Sequence, residues 1–283
     1  DTQEFLKQIN SLTYERQIIL IKGARRFQLE KIGNQLALKT HGTVLRINMN
    51  NLAHNLKIYR AMLNPGVKTM AMVKAFSYGS GQAEIARLLA NQRVDYLAVA
   101  YADEGADLRR QGIRLPIMVM NPEPETFDQL KQYQLEPEIY SIEILKAFIQ
   151  SIGKDDASIH IKIDTGMHRL GFVENDIPEL LVLLKSHQHI RVASIFSHLA
   201  GADENKHDNF SEHQITLFNK IASSIQTTLG YQPLRHILNS SGISRMPHAQ
   251  FDMVRLGIGL YGVDPSAVLQ NTLLPVGTLQ TNI

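Results

Sequence analysis

The 283-residue sequence predicts an α/β protein whose main domain is a (β/α)8 TIM-like barrel. Short apolar segments alternate with amphipathic helical patterns, which indicates a parallel sheet. Eight such segments follow one another from residue 67 onward, and the length of chain they occupy suits eight βα units. An open, doubly wound sheet is the alternative, but eight consecutive units favour a closed barrel.

The eight predicted strands are short and rich in apolar and β-branched residues. In chain order they cover Val67–Val73, Tyr96–Ala100, Leu115–Met120, Glu138–Tyr140, Ile159–Ile163, Val192–Phe196, Leu234–Leu238 and Met253–Ile258. Seven of them are expected to precede a helix. The clearest helical periodicities cover Gln82–Asn91, Asp103–Gln111, Glu125–Gln132, Ile142–Ile152, Ile177–Ser186 and Ser211–Leu229.

Two segments lie outside this alternation. Residues 1–41 follow a helix–strand–helix pattern, with a strand over Ile18–Ile21 and a helix over Phe27–Leu38. Residues 271–283 are typical of a strand that enters a further β domain. The barrel is therefore expected over residues 42–270. Because the chain begins without methionine and ends within a pattern, we expect it to be part of a longer protein.

The composition excludes several kinds of site and partner. The chain has no cysteine, so it can form neither disulfides nor thiolate metal sites, and no His/Asp/Glu cluster has metal-ligand spacing. The formal net charge of +2 is spread along the chain, which argues against nucleic acid or a membrane surface as a partner. The N-terminal segment is polar, and no apolar segment is long enough to span a bilayer, so a cytoplasmic location is expected.

In a barrel of this type, functional side chains follow the C-terminal ends of the strands. Lys74 follows the first strand, where burial would favour the neutral amine that Schiff-base chemistry requires. A lysine whose ammonium merely reaches solvent from a strand end is the alternative. Tyr78 and the glycines that follow it offer a hydroxyl and a flexible backbone to an anion.

Three further candidate side chains lie at the ends of the fifth and sixth strands or in the loop after the fifth. Lys162 is expected to point inward, and Arg169 lies in the loop that follows, so two cations would face an anionic ligand or a carboxylate. The alternative is an ordinary pair between Lys162 and Asp164 with a solvated Arg169. His198 ends the sixth strand, where a structural histidine is the alternative to a catalytic one.

The loops after the seventh and eighth strands contain Asn239, Ser240, Arg255, Gly257 and Ile258. These loops form the usual phosphate site of such barrels, because backbone N–H groups and hydroxyls converge there. A lysine at the first strand and a phosphate site at the last two strands suggest one cofactor that spans the barrel mouth. Pyridoxal 5′-phosphate (PLP) needs both an amine and phosphate donors.

At these residues the chain resembles the alanine racemases, PLP-dependent enzymes with a barrel domain. The resemblance covers about residues 42–283, in the order MVKAFSYGSG from Met72, KIDTGMHRLG from Lys162, FSHLA from Phe196, Asn239-Ser240 and MVRLGIGLYG from Met253. The family usually has Asn-Ala in place of Phe76-Ser77 and His in place of Ser80. These departures leave the lysine, the tyrosine and the glycines in place.

The resemblance implies a role for each of these residues. Lys74 would bind PLP covalently and act as one of two acid/base groups. Tyr78, Ser240, Gly257 and Ile258 would bind the phosphate, and Asn239 would lie beside them. Arg255 would contact the pyridine nitrogen, and Arg169 the phenolic oxygen of PLP and the substrate. His198 would lie near Arg255, and Lys162 matches a family position that is often carbamylated.

The resemblance further implies interconversion of L- and D-alanine for peptidoglycan synthesis, with serine left open as a substrate. The second base of the family is a tyrosine from a C-terminal β domain, which reaches the barrel of the partner subunit in a homodimer. This chain ends where that domain would begin, so we expect it to be inactive alone. A non-catalytic barrel that binds or carries PLP is the alternative function.

The N-terminal segment carries a second resemblance. The sequence from Ile18 to Arg25, IILIKGAR, and the helical pattern after it are similar to the end of a Mur ligase that adds D-alanyl-D-alanine. A ligase fused upstream of a racemase would couple the supply of D-alanine to its use.

Overall fold

The computed structural model describes residues 2–8, 19–24, 27–29, 31–33 and 43–281. The chain divides into two compact units, one of residues 47–278 and one of residues 1–46 with 279–283. The larger unit contains eight parallel strands and confirms the predicted barrel.

The barrel strands follow one another around the sheet in chain order. They are β2 (Lys68–Met72), β3 (Tyr96–Val99), β4 (Ile117–Val119), β5 (Glu136–Ile139), β6 (Ala157–Lys162), β7 (Ile190–Phe196), β8 (Leu234–His236) and β9 (Met253–Leu256). The last strand, β9, pairs with the first, β2. Between β8 and β9, backbone hydrogen bonds of 3.0 Å from Asp252 N to Arg235 O and from Arg255 N to Leu238 O complete the circle.

Helices surround this sheet because their apolar sides cover its outer surface. They are α2 (Met49–Ala61), α3 (Gln82–Asn91), α4 (Ala102–Arg110), α5 (Phe127–Gln132), α6 (Ile142–Ile152), α7 (Ile177–Ser186), α8 (Asp208–Leu229) and α9 (Ser240–Arg245), after α1 (Thr2–Gln8) in the smaller unit. A small apolar cluster of Met70, Met72, Ala98, Met118, Phe196 and Met253 lies apart from the main core. Buried polar side chains accompany these residues on the strands, among them Glu138, His160, Lys162, Ser194, His236 and Arg255.

The predicted strands all exist, with bounds that shift by one or two residues at most ends. Helix α2, which precedes the barrel, was not predicted. The Asn48 side chain caps it by accepting from the N–H groups of Asn50 and Asn51 at 3.0 and 3.1 Å. The helix after the seventh predicted strand, α9, has only six residues.

The prediction for the smaller unit is wrong in part. Residues 19–21, which were expected to form a strand, have no regular structure. Residue 18 and half of the residues of the helix expected over Phe27–Leu38 lie outside the described part of the chain. Of the described residues of that expected helix, 31–33 are helical. Strands β1 (Val44–Ile47) and β10 (Gly277–Gln280) form a two-stranded sheet. No helix in the described part of the chain is long and apolar enough to cross a membrane.

Candidate active site

One cavity, of about 340 Å³, lies at the C-terminal ends of the barrel strands. Its lining includes nine residues predicted from the sequence: Lys74, Tyr78, Arg169, His198, Asn239, Ser240, Arg255, Gly257 and Ile258. A larger cavity, of about 510 Å³, lies by the N-terminal ends of β5, β6 and β7, and none of these nine residues lines it. Chemistry, not size, therefore identifies the first cavity as the candidate site.

The chain enters this cavity at Lys74 and then makes a left-handed turn. Ala75, Phe76, Ser77 and Tyr78 have φ values of 52°, 51°, 56° and 56°, a region that residues with a side chain rarely occupy. Ala75 N donates a 2.6 Å hydrogen bond to a carboxylate oxygen of Glu104 on α4. This hydrogen bond fixes the backbone directly after the lysine, so that the turn returns Tyr78 to the cavity.

Tyr78, Ser240 and Gly257 meet at one side of the cavity. The Ser240 hydroxyl oxygen accepts from Gly257 N at 3.0 Å and from Gly259 N at 3.3 Å. A Cβ atom on Gly257 would lie 3.0 Å from the Tyr78 hydroxyl and 3.9 Å from the Ser240 hydroxyl. Burial raises the pKa of Tyr78, so its hydroxyl keeps the proton with which it can donate. Hydroxyls and backbone N–H groups around a glycine suit a phosphate.

Asn239 and Ile258 flank this group of residues. The Asn239 side chain accepts from Gly242 N at 2.9 Å and so caps α9, which fixes the backbone that carries Ser240. Ile258 follows Gly257 in the loop after β9 and lines the same cavity.

Arg255 lies under the cavity and is 3% exposed. Its guanidinium donates to Nδ1 of His236 at 2.8 Å, to the carbonyl of Ser197 at 2.6 Å and to the carbonyl of Ile237 at 3.0 Å. Burial lowers the pKa of Arg255 to about 10, which leaves the group charged at neutral pH. The side chain therefore presents a fixed cation to the cavity.

His198 lies beside this cation and lines the cavity. Arg255 Nη2 is 3.3 Å from His198 Nδ1. Burial, and then the charge of Arg255, hold the pKa of His198 well below its usual value. His198 is therefore a neutral imidazole at neutral pH, chiefly because it is buried, and the arginine that it contacts acts in the same direction.

Lys162 is the one predicted site residue that does not line the cavity. Its ammonium nitrogen lies 3.3 Å from a carboxylate oxygen of Glu138, and the two side chains are 5% and 1% exposed. The carboxylate beside Lys162 is thus Glu138, not Asp164, which accepts from Gly166 N and His168 N instead.

The chain is similar in sequence to known proteins over most of its length. Residues 47–265 match the family described as "Alanine racemase, N-terminal domain". The chain belongs to this family. It is 36% identical over 248 residues to an alanine racemase of Clostridium novyi and 33% identical over 251 residues to one of Sorangium cellulosum, with 84% and 85% of this chain covered. It spans 62% of the Clostridium novyi protein and 66% of the other.

Solved structures show the same relationship. An alanine racemase of Clostridium difficile in complex with cycloserine superposes with a TM-score of 0.80 at 31% identity, over 86% of this chain and 68% of that one. An alanine racemase of Bacillus anthracis with bound L-Ala-P superposes with a TM-score of 0.78 at 26% identity, covering 86% and 64%. The barrel of this chain is therefore the barrel of alanine racemases.

Three residues of the site were not predicted from the sequence: Glu104, Glu138 and His236. Glu138 alternates with Glu136 in an otherwise apolar strand, and that spacing places both carboxylates on one side of β5. On β8, the same alternation places His236 on the side of Leu234. Glu104 gives no such signal, because a glutamate in the first turn of a helix is common.

Proposed function

We propose that this chain forms the PLP-binding barrel of an alanine racemase and that Lys74 binds the cofactor covalently. The convergence of three groups on one cavity carries this proposal. They are the amine of Lys74, the fixed guanidinium of Arg255, and the donors around Gly257. PLP requires a partner for its aldehyde, for its pyridine nitrogen and for its phosphate, and the cavity offers one of each.

The residues present fit the phosphate of PLP. Gly257 leaves open the space that a Cβ atom would fill between the hydroxyls of Tyr78 and Ser240. The backbone N–H of Ile258 would add a donor without a counter-charge, as in other anion sites, whereas the N–H of Gly257 already donates to the Ser240 hydroxyl at 3.0 Å. Tyr78 retains its hydroxyl proton because burial raises its pKa.

Arg255 would donate to the pyridine nitrogen of PLP. When bound, PLP supplies an electron sink for the carbanion that forms when an amino acid loses its Cα proton. A guanidinium has donors only and does not surrender its proton at neutral pH. Arg255 therefore keeps the pyridine nitrogen unprotonated, which limits the electron sink and disfavours side reactions such as transamination.

Lys74 and Arg169 act on the substrate side. Lys74 would hold and return a proton on one face of the alanine Cα, and Arg169 would contact the phenolic oxygen of PLP and orient the substrate. Racemisation requires an acid/base group on each face. For the opposite face we propose a tyrosine from a C-terminal β domain of the partner subunit in a homodimer, because this chain spans only 62% of a relative such as that of Clostridium novyi.

The test is the visible absorbance of PLP bound to lysine. The full-length protein, purified with PLP, is expected to show this band, and the Lys74→Ala variant is expected to lose it. Lys68→Ala is the matched control, since Lys68 lies at the other end of β2, half-exposed, and contacts Asp95 at 3.4 Å. A protein without the band, or a band that survives Lys74→Ala, would overturn the proposal.

A separate assay tests the proposed racemase activity. Full-length protein is expected to convert L-alanine to D-alanine, as followed by chiral chromatography, and the same assay with L-serine decides between the two substrates. If the protein binds PLP at Lys74 but interconverts neither amino acid, the barrel is a PLP carrier.

We also propose that residues 1–41 are the end of a Mur ligase domain. The support is the sequence IILIKGAR and the helix α1 (Thr2–Gln8) in the described part of this segment. Full-length protein that shows no ATP-dependent addition of D-alanyl-D-alanine to a peptidoglycan precursor would overturn this proposal and leave the barrel proposal intact.

A further inference from the structure

A buried ion pair between Glu138 and Lys162 lies beneath the candidate active site. The two side chains extend from adjacent strands, β5 and β6, whose register sets Glu138 opposite His160, two residues before Lys162. The Glu138 carboxylate is 3.3 Å from the Lys162 ammonium and is 1% exposed. Among the described residues, no donor reaches either Glu138 oxygen with hydrogen-bond geometry. The carboxylate thus depends on neighbouring charge for its stabilisation.

That neighbouring charge is positive. Burial raises the pKa of Glu138, while Lys162, Arg255 and Arg169 all act to lower it. Burial likewise lowers the pKa of Lys162, and Glu138 opposes that shift. Each member of the pair therefore favours the charged form of the other, against the burial that raises the pKa of Glu138 and lowers that of Lys162, and Arg255 and Arg169 further favour the carboxylate. Glu138 brings one negative charge to a group of cations that closes the floor of the cavity.

This arrangement bears on the modification of Lys162. In carbamylation, a neutral lysine amine attacks the carbon of CO2. The N–C bond forms, one C=O electron pair moves to oxygen, and the amine proton leaves to solvent. The reaction therefore requires a neutral amine and a site that accepts a new negative charge, and Glu138 opposes both. Its charge favours the protonated form of Lys162, and its carboxylate, 3.3 Å from the Lys162 nitrogen, lies next to the position that the new carbamate would occupy. Two buried anions at such a distance cannot both be ionised without a large penalty.

We propose that Glu138 supplies the internal negative charge of this site, so that Lys162 stays unmodified and Glu138 acts as a positioning residue for Lys162 and Arg169. The inference rests on the proposed function only in assigning Arg169 to the substrate. Where the alanine racemase resemblance implies a carbamate on the lysine, this chain provides a carboxylate from the neighbouring strand.

The first experiment detects the modification directly. Full-length protein is equilibrated with ¹³C-bicarbonate and examined by ¹³C NMR. Wild-type protein is expected to show no carbamate resonance, and its activity is expected not to change with bicarbonate. A carbamate resonance that disappears in Lys162→Arg would overturn the inference. This readout does not depend on PLP, so it stays informative if Lys74 proves not to bind the cofactor.

The second experiment tests positioning. Glu138→Gln keeps the size of the side chain and removes its charge, so the KM for alanine is expected to rise about tenfold. Glu138→Asp is expected to recover part of that loss. Glu179→Gln is the matched control, because Glu179 on α7 also pairs with a lysine, Lys146, at 2.7 Å, but both side chains are more than half exposed and neither lines the cavity. Equal changes in KM for the two glutamine variants would overturn the positioning role.

A third variant tests whether the Glu138 carboxylate takes the place of a carbamate on Lys162. Glu138→Ala removes the carboxylate and opens space beside Lys162, whose ammonium then lacks a counter-ion. We expect this variant to gain a ¹³C carbamate resonance and an activity that rises with bicarbonate. A Glu138→Ala protein that folds, shows no carbamate and retains the wild-type KM would contradict the proposal. If it does not fold, the Glu138→Gln and Glu138→Asp comparison still decides.

Discussion

Arg255 donates a 2.8 Å hydrogen bond to Nδ1 of His236, and this bond determines where the histidine carries its proton. Because a guanidinium has only donors, Nδ1 must accept, and the proton lies on Nε2, 2.8 Å from the Ser194 hydroxyl. Ser194 in turn lies 2.6 Å from Nδ1 of His160, whose Nε2 lies 2.9 Å from Glu136. A continuous series of hydrogen bonds thus runs from Arg255 to Glu136 at the opposite end of the barrel. It holds the Arg255 guanidinium in one orientation.

The first prediction concerns this arginine. Arg255→Lys keeps the charge, but the three N–H groups of one ammonium nitrogen cannot replace the bonds that two guanidinium nitrogens make to the His236 ring and to three carbonyls, so buried acceptors lose their partners. We expect the free energy of unfolding to fall by about 3 kcal/mol, measured by urea denaturation. Arg191→Lys is the control, because exposed Arg191 stacks on the Tyr231 ring at 5.5 Å; it should change stability by no more than about 0.5 kcal/mol. Similar losses of stability in both variants would contradict the role of the Arg255 hydrogen bonds.

The second prediction concerns pH. Burial, and then Arg255, hold the pKa of His236 well below its usual value. The unfolded chain therefore takes up a proton near pH 6.5 that the folded chain does not. The stability present above that pH is lost as the pH falls below it, by about 1.4 kcal/mol per pH unit for this histidine. Glu138 acts in the opposite direction, because burial raises its pKa.

A comparison of two proteins isolates the histidine from the other groups. In His236→Gln, the amide oxygen can still accept from Arg255, but the glutamine side chain does not take up a proton in this pH range. Thermal denaturation between pH 7 and pH 5 is expected to show a shallower loss of stability in this variant than in wild type. Parallel curves would contradict the lowered pKa, because they would mean that His236 takes up its proton in the folded and the unfolded chain alike.

The third prediction concerns the proposed phosphate site. Gly257→Ala places a methyl group 3.0 Å from the Tyr78 hydroxyl, in the space assigned to the phosphate. We expect PLP affinity to fall about tenfold or more, measured by titration of the apoprotein. Gly33→Ala is the control, since the nearest atom to its Cβ is 3.9 Å away, in Ile21. Unchanged affinity in Gly257→Ala would place the phosphate elsewhere.

The fourth prediction concerns the loop that carries Arg169. Gly171 has a φ of 131°, and a Cβ atom there would lie 2.5 Å from the backbone nitrogen of Asp164. Gly171→Ala is therefore expected to lower the free energy of unfolding by about 3 kcal/mol or more. Gly112, with a φ of 85°, has no atom within 4 Å of such a Cβ, so Gly112→Ala should lose only about 1 kcal/mol. Equal losses would mean that φ alone, not the close approach, requires glycine at 171.

The fifth prediction concerns the left-handed turn. Phe76 has a φ of 51° and is 63% exposed, so its side chain gains little from burial. Asparagine tolerates this backbone region better than other residues with a side chain. Phe76→Asn is expected to stabilise the protein by about 1 kcal/mol, measured by urea denaturation. Phe76→Leu keeps an apolar side chain in the same conformation and should give no gain, and equal stabilities would contradict the explanation.

Several features of this protein followed from local sequence patterns. The helices α3, α6 and α7 were predicted to the residue, because their apolar periodicity extends over the whole element. The prediction of a strand over 18–21 was wrong: residues 19–21 have β-forming side chains, but strand propensity does not make a strand unless a neighbouring strand pairs with it.

Other features needed the folded chain. The left-handed turn at Ala75–Tyr78 contains no glycine, and the hydrogen bond from Ala75 to Glu104 on another element supports it. The partner of Lys162 was expected to be an anionic ligand or a carboxylate, with Asp164, two residues further along the chain, as the alternative. It is Glu138, because the register between β5 and β6 brings that carboxylate to the lysine.

By itself the sequence determined the class of fold and the residues that line the barrel mouth. Parallel strands joined by helices have their C-terminal ends on one side, so any residue that follows a strand is directed there by local order alone. Only the tertiary structure decided which of these side chains touch, which are buried and which charges neutralise one another. Those contacts depend on strand register and packing between segments far apart in the chain, and they determine why Arg255 is fixed and why Lys162 has a carboxylate beside it.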